Sequence, residues 1–358
     1  MEIIIRSIKI TGEMPDWIKF VEILKNCLVE MGHTYRVIRC VDLYPDDPYP
    51  DQFSIFPHCR KQETPTGRLF YKEMYLKGLF TLDAHGWGPD HGASQKPPSL
   101  EGIGDDEALG LVSRLREQYF ANGGSKIQQP QWTDIDESLK PYWLVPLQQE
   151  KDQVIKYHST ATVVEFVHLI ADWAEQKKRN IVFKVHPADS TEEVANAVNA
   201  RVAASPYLFS HSGSIHALIQ AAMGVAVINS GTGFESLIHG SPVATFGACD
   251  YQWATFAMSR DNLDDIDNCF INDNPQQQMA RYRFLYHYLN RHAFEINTLS
   301  HTITNDAGPD AHIISRVKAI LQQTIDDYQA AQDIQGYEYV GKQPNLAHVQ
   351  TNHQADSH

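Results

Sequence analysis

Three polar loops in the middle of the chain carry residue types that bind anions or act as nucleophiles. They are Gln148 to Asp152, the pair His186-Pro187, and Ser230 to Gly233. An aspartate can serve as nucleophile or base, and a histidine held by a proline after a strand can hydrogen-bond a phosphate or a leaving oxygen. A Ser/Gly/Thr loop at a helix start presents unpaired backbone N–H groups to an anion. The three loops therefore predict a phosphate-binding site, if the fold brings them together.

Each of these residues also has an ordinary structural interpretation. Asp152 lies between Lys151 and Lys156 and could be a salt-bridged loop carboxylate, and His186 could satisfy neighbouring backbone. Lys184 could approach an anionic substrate or simply extend its stem to solvent. Taken one at a time, Asp152 and His186 favour the structural interpretation. A shared position at one sheet edge is what favours function.

Two further segments contain candidates. Ser212 and Ser214 could contact a nucleotide, or cap a helix that starts near Ser214. The segment Asp83 to Gly92 is dense in glycine, histidine and acid, which favours a functional surface loop with Asp83 and His85 as its candidates. A turn-rich connection with solvated histidines is the alternative.

The elements that must position these loops form two α/β units. The chain opens with a β–α–β pattern over residues 1–41, and strands alternate with helices from Tyr142 to Gly247. Within the second unit an apolar strand from Val225 to Ile228 leads into the Ser230 loop, and a helix is predicted from Phe234, ended by Gly240. Strands that alternate with helices through short loops are what a parallel sheet requires, and the carboxyl edge of such a sheet would gather the three polar loops.

The predicted organisation has four parts. Residues 1–135 form a first α/β domain, 136–275 a second, 276–333 closing helices, and 334–358 a polar tail. Residues 42–66, rich in proline, aspartate and tyrosine, are predicted as loop.

Composition excludes several classes of protein. The net charge of −14 over 358 residues argues against sequence-independent nucleic-acid binding. No apolar run approaches the roughly 20 residues of a membrane span, and the N-terminus reads as a strand, so a cytoplasmic protein is expected. The five cysteines have no metal-binding spacing, which predicts reduced packing thiols and no metal.

Four segments, in order, resemble a known family. LVPLQQEKDQVI, FKVHP, SHSGSIHALI and VINSGTGFESLIHGSPVATFGACDY resemble bacterial capsule-polysaccharide synthesis proteins and related O-antigen enzymes. They are most similar to the retaining β-Kdo glycosyltransferases, which use CMP-Kdo, and the resemblance covers about Trp143 to Tyr251. It implies an α/β, GT-B-like fold, with two Rossmann-like domains facing each other across a cleft and CMP held by the second domain.

The resemblance also implies roles. Asp152 matches the nucleophile, His186 the contact to the donor phosphate, and Asp83 the nearest counterpart of the first-domain acid that deprotonates the acceptor. Relatives carry Glu-Asp-Gly there and this chain has Leu-Asp-Ala-His-Gly, so Asp90 competes with Asp83 for that role. The residues expected to bind substrate are Gln148, Lys184, Ser212, Ser214, Ser230, Gly231, Thr232, Glu235 and His85.

The expected function is transfer of Kdo from CMP-Kdo to a bacterial polysaccharide or glycolipid, with retention through a covalent aspartyl-sugar intermediate. The alternatives are a transferase using another nucleotide sugar, such as CMP-sialic acid, and a non-catalytic nucleotide- or glycan-binding assembly protein. The expected partners are a CMP-sugar donor and a glycan acceptor, without nucleic acid, cofactor or metal. Peripheral association with the inner membrane or with other glycan-assembly enzymes stays open.

Overall fold

Two six-stranded sheets organise the chain. The computed structural model describes residues 1–8, 15–39, 52–57, 67–121, 123–127, 129–130, 135–188, 192–271, 273–296 and 309–341. The strands are β1 Glu2–Ser7, β2 Thr34–Arg39, β3 Ser54–Pro57, β4 Arg68–Glu73, β5 Leu79–Asp83, β6 Tyr142–Pro146, β7 Asn180–Lys184, β8 Leu208–Ser210, β9 Gly224–Val227, β10 Val243–Thr245, β11 Phe256–Ala257 and β12 Ala293–Glu295. The α-helices are α1 Pro15–Glu30, α2 Gly92–Gln95, α3 Asp105–Leu115, α4 Gln153–His158, α5 Val163–Lys177, α6 Glu193–Ala204, α7 Ile215–Ala221, α8 Gly231–His239, α9 Ile266–Ile271, α10 Pro275–Arg291 and α11 Pro309–Gly341.

The second sheet is entirely parallel and has the order β11-β10-β9-β6-β7-β8. Counted from β6, this is the doubly wound 3-2-1-4-5-6 order, whose direction reverses between β6 and β9. The central strands β6, β9 and β10 are buried on both faces, because α5 and α6 pack on one side of the sheet and α7 and α8 on the other. The loops after β6 and β9 therefore flank the crevice where such sheets bind ligands.

The first sheet has the order β12-β5-β4-β3-β1-β2 and is mixed. Strands β1 to β4 pair in parallel, whereas β5 runs antiparallel to both β4 and β12. A turn over residues 74–78 joins β4 to β5, and the main-chain N–H of Gly78 donates to the Glu73 carboxylate at 2.8 Å. This turn faces the second sheet.

The C-terminal segment returns to the first domain. Helix α10 packs on α3 and α8, β12 then adds to the edge of the first sheet, and α11 covers α1. Phe294, Val317 and Leu321 are buried in the same core as Phe20 and Leu24 of α1. The first sheet is thus completed by residues that follow the second one in the chain.

Sequence and structure agree in the fold class and differ in several elements. Two Rossmann-like α/β domains facing each other across a cleft, the expected GT-B-like arrangement, are confirmed. The loop predicted for residues 42–66 contains β3, whose four residues are too few to show a period. Helix α11 continues to Gly341, so the first residues of the predicted tail are helical, and residues 342–358 lie outside the described residues.

Candidate functional site

A cavity of about 250 Å³ lies between the two sheets at the reversal point of the second sheet. Its second-domain wall is formed by the loops after β6, β7 and β9, and its first-domain wall by the turn after β4, the loop after β5, residues 125–127 and Gln129. Polar groups from six segments converge there, which is the usual composition of a ligand site in an open α/β fold. We call this cavity the cleft.

The β6 and β9 loops are joined at the base of the cleft. Gln148 Nε2 donates to Asn229 Oδ1 at 3.1 Å, and Gln148 Oε1 accepts from the Asn229 main-chain N–H at 3.3 Å. Both side chains are buried, so the paired amides fix the distance between the two loops. Gln148, expected to bind substrate, thus also has a structural role.

Helix α8 points its N-terminus into the cleft. Ser230 is the N-cap, accepting from the Thr232 N–H at 3.2 Å, and its carbonyl accepts from Tyr251 Oη at 2.5 Å. The helix starts at Gly231, three residues earlier than predicted, so the glycines form its first turn. A Cβ at Gly233 would lie 2.5 Å from Tyr251 Oη, so only glycine fits there. The N–H groups of Thr232 and Gly233 bond to Ser230, and the positive dipole end of the helix faces the cavity at Gly231 and Thr232.

Asp152 lines the cleft from the loop after β6. It is the N-cap of α4, and its Oδ1 accepts from the Val154 N–H at 3.1 Å. That bond fixes the carboxylate and leaves Oδ2 for a second interaction. The two interpretations of Asp152 are therefore compatible, since a capping oxygen and a reacting oxygen can belong to one carboxylate.

The β7 loop brings Lys184 and His186 to the same cleft. Lys184 Nζ donates to the carbonyls of Gly213 at 2.8 Å and Ser212 at 3.4 Å, and burial lowers the pKa of this lysine. His186 Nδ1 accepts from the Ala188 N–H at 3.1 Å, which leaves Nε2 to carry the proton. Such a ring can donate to a phosphate oxygen.

Ser212 and Ser214 do not line the cleft. The Ser212 carbonyl accepts a hydrogen bond from Lys184, which itself lines the cleft. The buried Ser214 is the N-cap residue of α7, and its side chain makes no capping bond. Their expected substrate contacts stay predictions.

Glu235 is a buried carboxyl group in the wall of the cleft. Ser125 Oγ, from the segment that follows α3, donates to Glu235 Oε1 at 2.5 Å. Burial raises the pKa of Glu235 to about 7, and the Ser125 hydrogen bond opposes part of that rise. A carboxyl group of this kind can accept or donate a hydrogen bond near neutral pH.

Asp83 and His85 lie at the end of β5, outside the lining of the cleft. Asp83 Oδ1 accepts from the His85 N–H at 2.7 Å, and Asp83 Oδ2 lies 3.7 Å from His91 Nε2. The competitor Asp90 lies 3.5 Å from His158 Nε2 of the second domain. The intervening loop reaches the cleft through Trp87, Gly88 and Pro89. Most of the second-domain candidates thus line the cleft, whereas Asp83 and His85 of the first domain do not.

Two lysines of the first-domain wall were missed in the sequence. Lys72 Nζ lies 3.3 Å from the centroid of the Trp87 ring, and Lys126 Nζ donates to the carbonyls of Glu73 and Met74 at 2.8 and 2.9 Å. Burial, and next the repulsion between the two ammonium groups, sets the pKa of Lys72 well below its usual value, and burial lowers that of Lys126. No motif marks them, because the position of Lys72 depends on strand pairing between β4 and β5 and that of Lys126 on its bonds to carbonyls at the end of β4.

Tyr75 and Asp250 were also missed, and they join the two walls. Tyr75 and Tyr288 both donate to the buried Asp250 carboxylate, Tyr288 at 2.6 Å. The Tyr75 ring stacks on Phe234 of α8, with centroids 4.6 Å apart. This network holds the first-domain turn against the start of α8.

Two features are absent from the described residues. No group of three or more His, Cys, Asp or Glu side chains in that part of the chain is arranged to hold a metal ion. Nor does any helix among the described residues combine the length and apolar character that crossing a bilayer requires.

Comparison with known proteins gives one family and several distant structures. The model of a family described as capsule polysaccharide biosynthesis protein matches residues 110–289, about half of the chain. No curated protein sequence matches. Among solved structures, two of KpsC from Thermosulfurimonas dismutans are similar to this chain, and each similarity extends over 79% of this chain. The β-Kdo 2,7 transferase has 16% sequence identity, with 90% of its own chain covered and a TM-score of 0.46. The β-Kdo 2,4 transferase has 12% sequence identity, with 89% of its own chain covered and a TM-score of 0.44. S. aureus MnaA with UDP is similar at 9% identity over 79% of this chain and 90% of its own, with a TM-score of 0.35.

Proposed function

Because this chain belongs to the capsule polysaccharide biosynthesis protein family, we propose that it is a glycosyltransferase that moves Kdo from CMP-Kdo to a polysaccharide or glycolipid acceptor. The proposal depends on one observation: Asp152, His186 and the N-terminus of α8 line the same cleft, at the point where the strand order of the second sheet reverses. A nucleophile beside two phosphate-binding groups suits transfer of a sugar from a nucleoside monophosphate.

The donor phosphate is proposed to bind at the first turn of α8. The Gly231 N–H, between Ser230 and Thr232, and the Nε2–H of His186 would donate to its oxygens, and Lys184 would add a nearby positive charge. These groups stabilise the charge that grows on the phosphate as the glycosidic bond breaks. The proposal needs no metal for this step.

Asp152 is proposed as the nucleophile of a double displacement. Its Oδ2 attacks the anomeric carbon of Kdo, the bond from that carbon to the phosphate oxygen breaks, and CMP leaves with the electron pair. The acceptor hydroxyl then attacks from the vacated face and gives its proton to a base, and the aspartate is released. Two inversions give overall retention.

The resemblance makes Asp83 the proposed base. Asp83 does not line the cleft, whereas Trp87, Gly88 and Pro89 of the same loop do, so this role requires the acceptor to approach along the Asp83–Gly92 loop. His91, 3.7 Å from Asp83 Oδ2, could share a proton received there.

An Asp152→Asn variant tests the proposal. Asparagine caps a helix about as well as aspartate, so α4 and the thermal stability should be unchanged while transfer falls by about 10³-fold or more. Incubation with CMP-Kdo generated in situ, followed by intact-protein mass measurement, should reveal one added Kdo residue on the wild type and none on the variant.

The same experiment separates the alternatives. A non-catalytic binding protein would bind CMP equally in both forms and show no adduct with any donor. A transferase for another acidic sugar would form the adduct with CMP-sialic acid in preference to CMP-Kdo. Absence of adduct, turnover and CMP binding together would exclude the proposed function.

A further inference from the structure

Lys72 lines the wall of the cleft and forms no ion pair with any residue that the structure describes. Among the described residues it contacts the face of Trp87 and forms no ion pair, whereas Lys126 next to it is held by two carbonyls and lies 3.7 Å from Glu73 Oε2. Taking an ammonium group out of water without a counter-charge is unfavourable. Such a group is maintained where a ligand supplies the missing charge.

The position of Lys72 is fixed by its surroundings. It pairs with Thr81 in the antiparallel β4–β5 ladder, between neighbours whose side chains are buried. Trp87, whose ring lies beneath the ammonium group, is 3% exposed. Lys72 and Trp87 both line the cleft, so a ligand in the cleft can reach the ammonium group.

Lys72 also lies within the electrostatic reach of Asp152. Attraction to Asp152 and to Asp250 opposes the fall in its pKa, so Lys72 and the proposed nucleophile interact across the same cavity. The donor's phosphate has its own site on the opposite wall, at α8 and His186. Lys72 is therefore placed to bind a different anionic group of the ligand, one that lies near Asp152.

From this geometry we infer that Lys72 binds the carboxylate of the donor sugar and makes the cleft select a sugar with an acid group on its reacting carbon. The inference rests on the proposed function. A carboxylate attached to the anomeric carbon lies one bond from the atom that Asp152 attacks. Lys72 then offsets the repulsion between the substrate carboxylate and the attacking aspartate.

The test compares nucleotide with nucleotide sugar. In an Asp152→Asn background, which prevents consumption of the donor, CMP, CMP-Kdo and CMP-sialic acid are titrated against Lys72 and against Lys72→Met. Methionine keeps the length of the stem and removes the charge. We expect the affinity for both nucleotide sugars to fall at least about tenfold and the affinity for CMP to be unchanged.

Two further variants complete the design. Lys151→Met also removes one positive charge, from the residue that precedes Asp152, but Lys151 does not line the cleft. Its affinities for CMP and for both nucleotide sugars should therefore match those of the background protein. Lys72→Arg keeps a cation over Trp87 and should retain the preference for the acidic sugars over CMP.

The outcomes distinguish the two proposals. Equal loss of CMP and of nucleotide sugar in Lys72→Met, or loss of neither, would overturn the role of Lys72 while leaving the transferase intact. Failure of the Lys72-containing protein to bind CMP at all would overturn the function and the inference together. If Lys72→Met does not fold, Lys72→Arg decides, because an arginine variant that folds without the preference overturns the inference.

Discussion

Buried ionisable side chains set the chemistry of this cleft at the scale of single residues. Burial raises the pKa of Glu235 to about 7 and lowers the pKa values of Lys72 and Lys184, and the capping bond of Asp152 uses one of its two carboxylate oxygens. The second-domain members of this set lie in or beside the motifs that the sequence marks. The environment that alters their ionisation comes from both domains, because Ser125 and Lys126 approach from the first.

Glu235 should make stability depend on pH. The unfolded chain ionises this carboxyl near pH 4.5, whereas the folded protein keeps it protonated to about pH 7. Stability from this group is therefore full at low pH and falls as pH rises between these values. Glu235→Gln should lack this loss, so its stability relative to wild type should rise by on the order of 1–3 kcal/mol from pH 4.5 to 7.5.

Chemical denaturation across that pH range measures the difference. Glu101→Gln, which changes an exposed carboxyl group in a turn, is the control and should follow the wild-type curve. Parallel curves for wild type and Glu235→Gln would contradict the buried, protonated state.

At the scale of elements, the start of α8 is the most constrained part of the site. Its cap, its two glycines and Tyr251 are packed together, and Tyr75 of the first domain lies 3.3 Å from where a Cβ at Gly231 would stand. The sequence marked this junction as a strand, a loop and a helix start. Its tightness was not visible there, because the neighbours that the glycines contact, Tyr75 and Tyr251, are 18 residues or more away in the chain.

Gly233→Ala should damage both stability and nucleotide binding. The new methyl group displaces Tyr251 from the Ser230 carbonyl, which we expect to cost about 1–3 kcal/mol and to weaken CMP binding. Thermal unfolding with and without CMP measures both effects. Gly110→Ala in α3, where no atom lies within 4 Å of the new Cβ, should instead stabilise by about 0.5–1 kcal/mol. Unchanged CMP binding in Gly233→Ala would argue that α8 does not hold the nucleotide.

At the scale of the whole molecule, the two domains share an apolar core in addition to the cleft. Leu76 and Leu79 of the first domain pack in one cluster with Phe234, Leu285 and Tyr288. The C-terminal segment reinforces this by passing from α10 to β12 and α11, back to the first sheet. The walls of the cleft are therefore held by packing, with the Asp250 network at their junction.

Leu321→Ala should destabilise the first domain more than the second. This side chain of α11 is fully buried among residues of α1 and the first sheet, so its truncation should cost about 2–5 kcal/mol. Hydrogen exchange should accelerate in β1 and α1 more than in β6 and β9. The neighbouring exposed Gln322→Ala should change stability only by a few tenths of a kcal/mol. Equal acceleration in both domains would indicate that they unfold as one unit.

The sequence by itself determined the alternation of strands and helices, the position of the three polar loops, and the similarity to a capsule-synthesis family. These are local properties: period, turn residues and motif spacing act over a few residues. Only the tertiary structure decided that Lys72, Lys126, Tyr75 and Ser125 complete the cleft and that Asp83 lies beside it. It also decided that residues 293–295 add the edge strand of the first sheet and that α11 packs in the core of the same domain. These placements depend on strand pairing and packing between segments far apart in the chain, which no local pattern encodes.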